Sequence, residues 1–366
     1  MRIAIPKENT SGENRVALVP TLVSNLTQLG CQVLMEKGAG LNAHFRDEDY
    51  TNVEFYDNAQ SLYQNADVIL KVEAPSLEEI SYCNKNAIII GMLSPSRYPE
   101  RIDAMTNAHI TSFALENLPR ISRAQAMDVL SSQATIAGYK SALLAANFLP
   151  RFFPMLTTAA GTIRPSSVLV IGAGVAGLQA IATAHRLGAI VKAYDIRPAA
   201  REQVESLGAK MINIDIHAEG TGGYARELNS EEKQKQEMAL FNAVKEADAV
   251  ITTALIPGRP APKIITKAMV EAMKPGSVII DIAAINGGNC ELTQTNNTVV
   301  HQGVTIHGPV NLPSMVAKDA SVMYAKNLVS FLSLLIKDGN IQLDWEDPIL
   351  SQSVLTHEGK MLQKAS

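Results

Sequence analysis

The sequence has few cysteines, few aromatic residues and no excess of positive charge. Its 366 residues include three cysteines, Cys31, Cys83 and Cys290, which lie far apart and form no CxxC or Cys/His pattern. A zinc site and a disulfide framework are therefore not expected, and a reducing compartment is. Lys and Arg number 32 against 36 Asp and Glu, a formal net charge of −4, which argues against a nucleic-acid-binding protein.

Long hydrophobic runs are also missing. No stretch of 18 uninterrupted apolar residues occurs, so the sequence predicts no membrane span. The two most apolar windows, around 142–162 and 322–336, are interrupted by proline, arginine or lysine. The first twenty residues turn polar after six residues and lack the apolar region of a signal peptide. These absences predict a soluble cytoplasmic chain.

Short β-branched runs alternate with helical patterns along the whole chain. This alternation is typical of parallel sheets with crossover helices. In the first third, the predicted strands are Ile3–Ile5, Gln32–Glu36, Asp67–Val72, Ala87–Gly91 and Ile110–Ala114. After residue 165 they are Val168–Ile171, Ile190–Tyr194, Lys210–Ile214, Ala249–Ala254, Ser277–Ile282 and Val304–Ile306. Six strands suit one complete doubly wound domain.

Two segments interrupt the alternation. Residues 120–150 predict a long connecting helix that starts at Ser122, because apolar residues recur at helical spacing until Pro150. Residues 215–236 are polar and contain glycines, which is typical of either a mobile functional loop or a plain solvent loop. Further on, Lys318–Ile336 predicts a helix that returns to pack on the first domain.

The most informative motif follows the strand Val168–Ile171 and opens the next predicted helix. Three glycines have GxGxxG spacing: Gly172, Gly174 and Gly177. In this context the first permits a tight turn, the second lets the backbone approach a pyrophosphate, and the third lets helix and strand pack closely. The helix N-terminus, with Val175 and Ala176, offers N–H groups and a positive dipole end to phosphates. The motif predicts a dinucleotide site.

Asp195 closes the next predicted strand at the distance expected for a ribose-binding carboxylate, and Ile196 and Arg197 follow it. We expect the carboxylate to accept hydrogen bonds from the adenosine ribose hydroxyls and to repel a 2′-phosphate. Arg197 opposes this selectivity, because a nearby arginine suits a 2′-phosphate. The carboxylate weighs more, so the predicted cofactor is NAD(H).

The segment 252–258, after the fourth strand of the second block, is expected to line the adenosine side with Ala254 and Leu255. Ordinary core packing is an equal alternative for Leu255. Asp281 ends a hydrophobic strand and is expected to anchor a loop rather than to catalyse.

These patterns predict an α/β protein with two doubly wound parallel-sheet domains, the second a Rossmann dinucleotide-binding domain, joined by long helices. The predicted domains are residues 1–130 plus 315–366, and residues 131–314.

Candidate reactive groups are sparse among the histidines and dense in the segment 120–133. None of the seven histidines has a spacing that indicates catalysis, and we expect His301 and His307 to be structural. Ser122 and Gln125 are spaced as a capping box, which explains both without a ligand. Capping does not explain the remaining polar residues, which could bind a carboxamide and a ribose: Arg120, Asp128, Ser131 and Ser132.

Six segments, in order along the chain, resemble the NAD(H)-binding component of proton-translocating NAD(P) transhydrogenases. They read RISRAQAMDVLSSQATIAGY, TAAGT, VLVIGAGVAGLQAIATAHRLGA, REQVESLGAK, ITTALIPGRPAP and MKPGSVIIDIA. The resemblance covers nearly the whole chain, and RAQAMDVLSSQ is specific to that family. The first domain also resembles that of alanine dehydrogenases, in the wider superfamily.

The resemblance implies site residues by matching positions. A loop with Arg, Gln and Asp holds the nicotinamide in that family, which implies Arg120, Gln125 and Asp128, with Ser131 beside them. It also places cofactor contacts at Met127, Gly223 and Gln236, and matches Tyr224 to the tyrosine of a mobile loop. The ribose-binding acid matches Asp195.

Departures separate the chain from alanine dehydrogenases, which begin with a similar ENRVALVP segment. Arg15, which matches their substrate-binding arginine, is retained. Their substrate lysine, catalytic histidine and acidic residue are matched by Glu73, Ser94 and Ile285, so an amino-acid dehydrogenase would lack a proton acceptor. Arg15 is then expected to form a structural salt bridge with Glu13 or Glu8.

Hydride transfer between two nicotinamide rings releases no proton at the reacting carbons, so no base or metal is required. The resemblance implies a subunit that transfers hydride between NADH bound here and NADP⁺ on a partner NADP-binding domain. Membrane-spanning subunits would couple this reaction to proton translocation, and the chain would attach to them peripherally as a homodimer. The alternatives are an alanine-dehydrogenase-like amino-acid dehydrogenase and a non-catalytic NAD(H)-sensing module.

Overall fold

The computed structural model describes residues 1–212, 229–255 and 259–363, except the side chains of Lys233 and Gln236. Two of the predicted cofactor residues, Gly223 and Tyr224, lie outside the described residues, as does the side chain of Gln236. The chain forms two compact units. The first unit comprises Met1–Gln133 and Pro313–Ser366, and the second unit comprises Ala134–Leu312.

The secondary structure alternates between strands and helices in both units. The described strands are β1 (Arg2–Ile5), β2 (Gln32–Glu36), β3 (Val53–Tyr56), β4 (Val68–Glu73), β5 (Ile88–Met92), β6 (Thr111–Ala114), β7 (Leu156–Thr158), β8 (Gly161–Ile163), β9 (Ser167–Ile171), β10 (Ile190–Tyr194), β11 (Lys210–Met211), β12 (Ala249–Thr252), β13 (Val278–Asp281), β14 (Thr298–His301), β15 (Val304–His307), β16 (Ile336–Lys337), β17 (Asn340–Ile341), β18 (Val354–His357) and β19 (Lys360–Met361). The described α-helices are α1 (Val23–Gln28), α2 (Ala59–Gln64), α3 (Leu77–Tyr82), α4 (Pro99–Asn107), α5 (Val129–Phe148), α6 (Val175–Arg186), α7 (Ala200–Ser206), α8 (Ser230–Glu246), α9 (Lys267–Glu271), α10 (Ala317–Leu335) and α11 (Pro348–Ser353).

The first unit is built on a sheet in the order β3-β2-β1-β4-β5-β6-β18-β19. Strands β1 to β6 are parallel, and β18 adds to β6 in the antiparallel direction. Ile3 and Ile5 lie in the hydrophobic core on one face, whereas Ala4 lies in the core on the other face. Successive side chains of a strand point to opposite faces, so these two cores require helices on both sides of the sheet.

The second unit repeats this arrangement with β11-β10-β9-β12-β13-β15-β14. Numbered along the chain, its parallel strands have the order 3-2-1-4-5-6 of dinucleotide-binding folds, and β14 pairs with β15 antiparallel at the edge. Val168 and Val170 belong to one core, and Leu169 and Ile171 to the core on the opposite face. The predicted class, two doubly wound α/β domains with a Rossmann-type second domain, is confirmed.

Several strands were not predicted, and each lies at an edge or outside the main sheets. The four-residue strands β3 and β14 contain half-exposed positions, and β7 and β8 form a separate antiparallel hairpin. Such strands lack the continuous apolar run that marks a strand buried on both faces. Their short sequences therefore carry little periodic signal.

Two predictions in the interrupting segments were wrong. The connecting helix does not run unbroken from Ser122, because Ser122–Met127 forms a 3₁₀ helix and α5 begins only after Asp128. The polar segment predicted as a loop to Gln236 is helical from Ser230, where Asn229 and Glu232 form a capping box. Within the described residues, no helix combines the length and apolar character needed to cross a bilayer.

Candidate functional site

The glycine-rich turn joins β9 to α6 in the second unit. Gly172 has φ of +94°, which L side chains rarely adopt, and its N–H donates to the carbonyl oxygen of Tyr194 at 2.8 Å. A Cβ on Gly177 would lie 1.8 Å from the carbonyl oxygen of Gly172, so this position admits only glycine. A Cβ on Gly174 would meet no described atom within 4 Å. The turn is thus closed on its inner side and open at Gly174.

The first turn of α6 continues this open surface. Gly174 is the N-cap residue, and no described side chain caps the helix there. The side chain of Val175 is 43% exposed. Ala176 is approached closely by α5, because a Cβ on Gly138 would lie 2.0 Å from the Ala176 carbonyl oxygen. Uncapped N–H groups beside an open glycine fit a pyrophosphate, which needs hydrogen-bond donors and close backbone approach.

Asp195 ties the end of β10 to this turn. Its carboxylate accepts hydrogen bonds from the N–H of Ala173 at 2.8 Å and from the backbone, Nε and Nη2 of Arg197 at 2.8–2.9 Å. Burial alone would raise the pKa of Asp195, but the hydrogen bonds from Arg197 and Ala173 lower it below its usual value. The carboxylate is therefore charged at neutral pH, and Arg197 is its present partner. Ile196, between them, packs partly against the core.

The segment after β12 is held by a residue that the sequence analysis missed. The amide of Asn289 is fully buried and bonds the backbone of Ala254 twice, accepting from its N–H at 3.0 Å and donating to its carbonyl at 2.8 Å. Leu255 follows and is 43% exposed, so it is not ordinary core. Asp281 accepts hydrogen bonds from Thr252, Ala283, Cys290 and Thr293, which confirms its role as a loop anchor.

The second group of predicted residues lies in the first unit, on the 3₁₀ helix Ser122–Met127 and the first turn of α5. Arg120 and Gln125 are exposed. The side chain of Met127 is 7% exposed and belongs to the hydrophobic core, so this residue offers a ligand mainly its backbone. No described side chain caps the 3₁₀ helix, so the predicted capping box of Ser122 and Gln125 is absent.

Asp128 performs the capping at the start of α5 instead. Its Oδ1 accepts from the N–H of Ser131 at 2.9 Å, and its Oδ2 accepts from the Ser131 hydroxyl at 2.6 Å. A carboxylate at this position also interacts favourably with the helix dipole. Asp128 and Ser131 therefore form one hydrogen-bonded pair.

Ser132 and Gln133 face helix α10 and not the surface. The Ser132 hydroxyl donates to Oδ1 of Asn327 at 2.7 Å, and Nδ2 of Asn327 donates to the carbonyl of Ala126 at 2.8 Å. Gln133 is buried and accepts from Nη1 of Arg15 at 2.9 Å. These residues anchor the segment, so Ser132 is not available to bind a ligand as predicted.

Arg15 is surrounded by carboxylates. Its guanidinium pairs with both oxygens of buried Glu13, at 2.8 and 2.5 Å, which confirms the predicted ion pair, and Glu73 Oε1 lies 3.5 Å from Nη2. Burial raises the pKa of Glu73 to about 7, despite the opposing charge of Arg15. Glu8 contacts Lys71 at 3.1 Å.

Other residues of this buried network were not predicted, because nothing in their spacing distinguishes them. Glu79 accepts from Lys71 Nζ at 3.1 Å and from the Tyr63 hydroxyl at 3.0 Å. The two histidines predicted to be structural have contacts of that kind: His301 bonds Glu271 at 2.9 Å, and His307 stacks on Phe148.

Comparisons with known proteins agree with this geometry. The family model described as alanine dehydrogenase/PNT, N-terminal domain, matches residues 4–137, and the C-terminal domain model matches residues 141–364. The first of the separate chains that make up the NAD(P) transhydrogenase alpha subunit of Rhodospirillum rubrum is 46% identical, over 100% of this chain and 98% of its own length. The alanine dehydrogenase of Staphylococcus haemolyticus is 30% identical, over 100% and 95% respectively.

Solved structures give the same result. The transhydrogenase from Sinorhizobium meliloti superposes with a TM-score of 0.88 at 42% identity, covering 100% of both chains. An L-alanine dehydrogenase gives 0.83 at 27% identity, covering 100% of this chain and 98% of its own. The protein is thus a two-unit α/β protein with a glycine-rich dinucleotide turn. It belongs to the alanine dehydrogenase/PNT family.

Proposed function

We propose that the chain is the NAD(H)-binding subunit of a proton-translocating NAD(P) transhydrogenase. Hydride passes directly between NADH bound here and NADP⁺ bound to a partner NADP-binding domain. The observation that carries this choice within the family is the environment of Arg15, with the Glu13 carboxylate bound at 2.5 Å and Glu73 facing it. A substrate carboxylate of an amino-acid dehydrogenase would have to displace Glu13 and approach Glu73.

The residues of the two units have separate tasks in this proposal. The open turn at Gly174, with the N–H groups of Val175 and Ala176, binds the pyrophosphate. Asp195 accepts from the adenosine ribose hydroxyls, for which Arg197 has to release part of its contacts. The exposed Leu255 and the backbone of Ala254 line the adenosine side.

The reacting ring is positioned by the first unit. Arg120, Gln125, Asp128 and Ser131 supply donors and acceptors for a carboxamide and a ribose. The bound dinucleotide supplies the hydride, and the reaction needs no general base. The catalytic requirement is therefore geometric: the two reacting carbons are held about 3–3.5 Å apart with water excluded. A group of positioning residues meets this requirement.

The proposal includes partners. The NADP(H) lies on a partner domain, and membrane-spanning subunits couple the reaction to proton translocation, with this chain attached peripherally. The naming of the R. rubrum relative as one portion of an alpha subunit supports a divided complex.

We also propose a homodimer, supported by the β7–β8 hairpin. Residues 152–163 contain no charged residue, yet Phe152, Met155 and Ile163 are 46–62% exposed. Isolated two-stranded hairpins are marginally stable in water, so a charge-free apolar one is expected to be covered. A second copy is a suitable occupant, because a neutral apolar surface can pair with itself without charge repulsion.

Reconstitution tests the function. The chain is mixed with a purified transhydrogenase NADP-binding domain, and reduction of an NAD analogue by NADPH is followed. Activity is expected in the mixture and not with either protein alone. Asp128→Ala is expected to lower NADH affinity and transfer; if both were unchanged, the assignment of residues 120–131 would be wrong.

The same preparation tests the alternative of an alanine-dehydrogenase-like enzyme. NADH oxidation by the chain alone is measured with pyruvate and ammonia, and no turnover is expected. Turnover there, together with an inactive mixture, would favour the amino-acid dehydrogenase and exclude the transhydrogenase proposal.

A further inference from the structure

Helix α10 contacts the proposed nicotinamide-binding segment through one buried amide. Asn327 is 8% exposed, and both ends of its side chain bond residues that flank Asp128. Its Nδ2 donates to the Ala126 carbonyl at 2.8 Å, two residues before Asp128, and its Oδ1 accepts from the Ser132 hydroxyl at 2.7 Å, four residues after it. The amide therefore spans the break between the 3₁₀ helix and α5.

This break is weakly defined by the backbone itself. Asp128 has ψ of 90°, outside the helical range, so neither helical ladder continues through it. Its N–H lies 3.4 Å from the Gln125 carbonyl, and the Ser132 N–H lies 3.2 Å from the Asp128 carbonyl, both longer than a typical hydrogen bond. The relative position of the two helical segments thus depends on contacts from outside the segment.

An amide at this place on α10 has a cost that its partners must offset. The neighbouring buried positions of the helix are mostly apolar, including Leu328 and Phe331. A buried amide is destabilising unless its donor and acceptor are paired. Ser321, another buried polar residue of α10, donates to its own helix at Ala317 and accepts from Val16. Asn327 instead directs both polar atoms to the segment around Asp128.

We propose that Asn327 is a positioning residue for hydride transfer. It fixes the 3₁₀ helix and the first turn of α5 relative to each other, and so sets the places of Gln125, Asp128 and Ser131 around the reacting ring. The inference rests on the proposed function. It predicts that Asn327 matters for the nicotinamide half of the dinucleotide and not for the adenosine half.

The test compares two ligands and one rate. NADH and ADP-ribose, which lacks the nicotinamide, are titrated against the full chain, and hydride transfer is measured in single turnovers with the NADP-binding domain. The variants are Asn327→Leu, which removes both hydrogen bonds, and Asn327→Asp, which keeps the shape but cannot donate to Ala126 when ionised. Ser321→Ala is the matched control, with one buried polar group removed from the same helix.

For both Asn327 variants, hydride transfer is expected to fall by about 10²-fold, as for a 1 Å misplacement of reacting groups. NADH affinity is expected to fall, while ADP-ribose affinity stays within about twofold of the wild type, as for a distant site. The control is expected to change neither. A merely structural role would lower both ligand affinities together, in proportion to lost stability.

Ser132→Ala covers the case in which the Asn327 variants fail to fold. It removes one of the two hydrogen bonds and is expected to slow transfer about tenfold, with ADP-ribose affinity unchanged. Transfer at the wild-type rate in the folded variants would overturn the inference. Asp128→Ala in the same assay separates the two hypotheses: if it is inactive while the Asn327 variants are not, the site assignment stands and only this inference fails.

Discussion

At the residue scale, Asp195 has a partner that competes with its proposed ligand. Arg197 donates to both carboxylate oxygens, and Ala173 donates to one of them. Each carboxylate oxygen has about two acceptor positions, so the four hydrogen bonds formed here leave little capacity for ribose hydroxyls. Selectivity between NADH and NADPH therefore depends on the pair and not on the acid alone.

Asp195→Asn tests this pair. The variant removes the charge that repels a 2′-phosphate and weakens the hold on Arg197, which becomes available to bind that phosphate. We expect NADH affinity to fall by about tenfold, the loss of one charge-assisted hydrogen bond, and NADPH affinity to rise. Fluorescence titration with both nucleotides measures the ratio. An unchanged ratio would contradict the assignment of Asp195 to the adenosine ribose.

Glu73 makes stability depend on pH. Its pKa in the folded chain is about 7, above the ordinary 4.5, so the folded state binds the proton more tightly than the unfolded state. The stability that this proton contributes is complete below pH 4.5 and is lost as the pH rises through about 7. A shift of this size corresponds to about 3 kcal/mol.

Glu73→Gln removes this dependence. Between pH 4.5 and pH 8, we expect the free energy of unfolding to shift by about 3 kcal/mol in favour of the variant relative to the wild type. Denaturant titration at both pH values measures it. Glu48→Gln, at an exposed carboxylate, is the control and should run parallel to the wild type. Parallel curves for Glu73→Gln as well would place its pKa near 4.5.

At the element scale, α5 begins at a residue with two roles. Asp128 caps the helix through Ser131, and it is also a proposed nicotinamide-binding group. The two roles respond differently to substitution, because asparagine caps a helix about as well as aspartate but carries no charge.

Asp128→Asn and Asp128→Ala form a matched pair. We expect the asparagine variant to unfold within about 0.5 kcal/mol of the wild type, and the alanine variant to lose about 1 kcal/mol. Both are expected to transfer hydride at least tenfold more slowly, because a charge-assisted hydrogen bond is lost. Full activity of the asparagine variant alone would show that Asp128 acts only as a cap.

The elements also show what the sequence could reveal. Strands buried on both faces, such as β9 and β12, were predicted because a continuous apolar run marks them, and the glycine turn because its three positions have separate steric reasons. The break at Asp128 was missed because apolar spacing continues through it. Asn289 and Asn327 were missed because an amide that bonds distant backbone has no local pattern.

At the scale of the whole molecule, the hairpin β7–β8 is anchored at its base and exposed along its length. Ser166 bonds the carbonyls of Phe152 and Phe153, and Arg151 pairs with Asp248 at 2.7 Å. Leu156 and Ile163 are cross-strand partners on the hairpin. A fixed base with an apolar arm is an arrangement suited to a permanent interface, which needs on the order of 800 Å² from each partner.

The double variant Leu156→Asp with Ile163→Asp tests the assembly. We expect the wild type to be a dimer and the variant a monomer, because four carboxylates would be buried together at a two-fold interface. Light scattering over a range of concentrations measures the mass. Met238→Asp, at a 65% exposed position of α8, is the control. A dimeric double variant would place the interface elsewhere.

The first unit is assembled from both ends of the described chain, and this affects its synthesis. Phe113 of β6 packs on Phe331 of α10, and β18 completes the sheet beside β6. The second unit is continuous and has fully emerged from the ribosome soon after Leu312 is made. At about 5–20 residues per second, the apolar face that α10 covers stays open for roughly ten seconds or more. The unit whose synthesis starts first is therefore the last to finish folding, and its nascent form is the natural client for a chaperone.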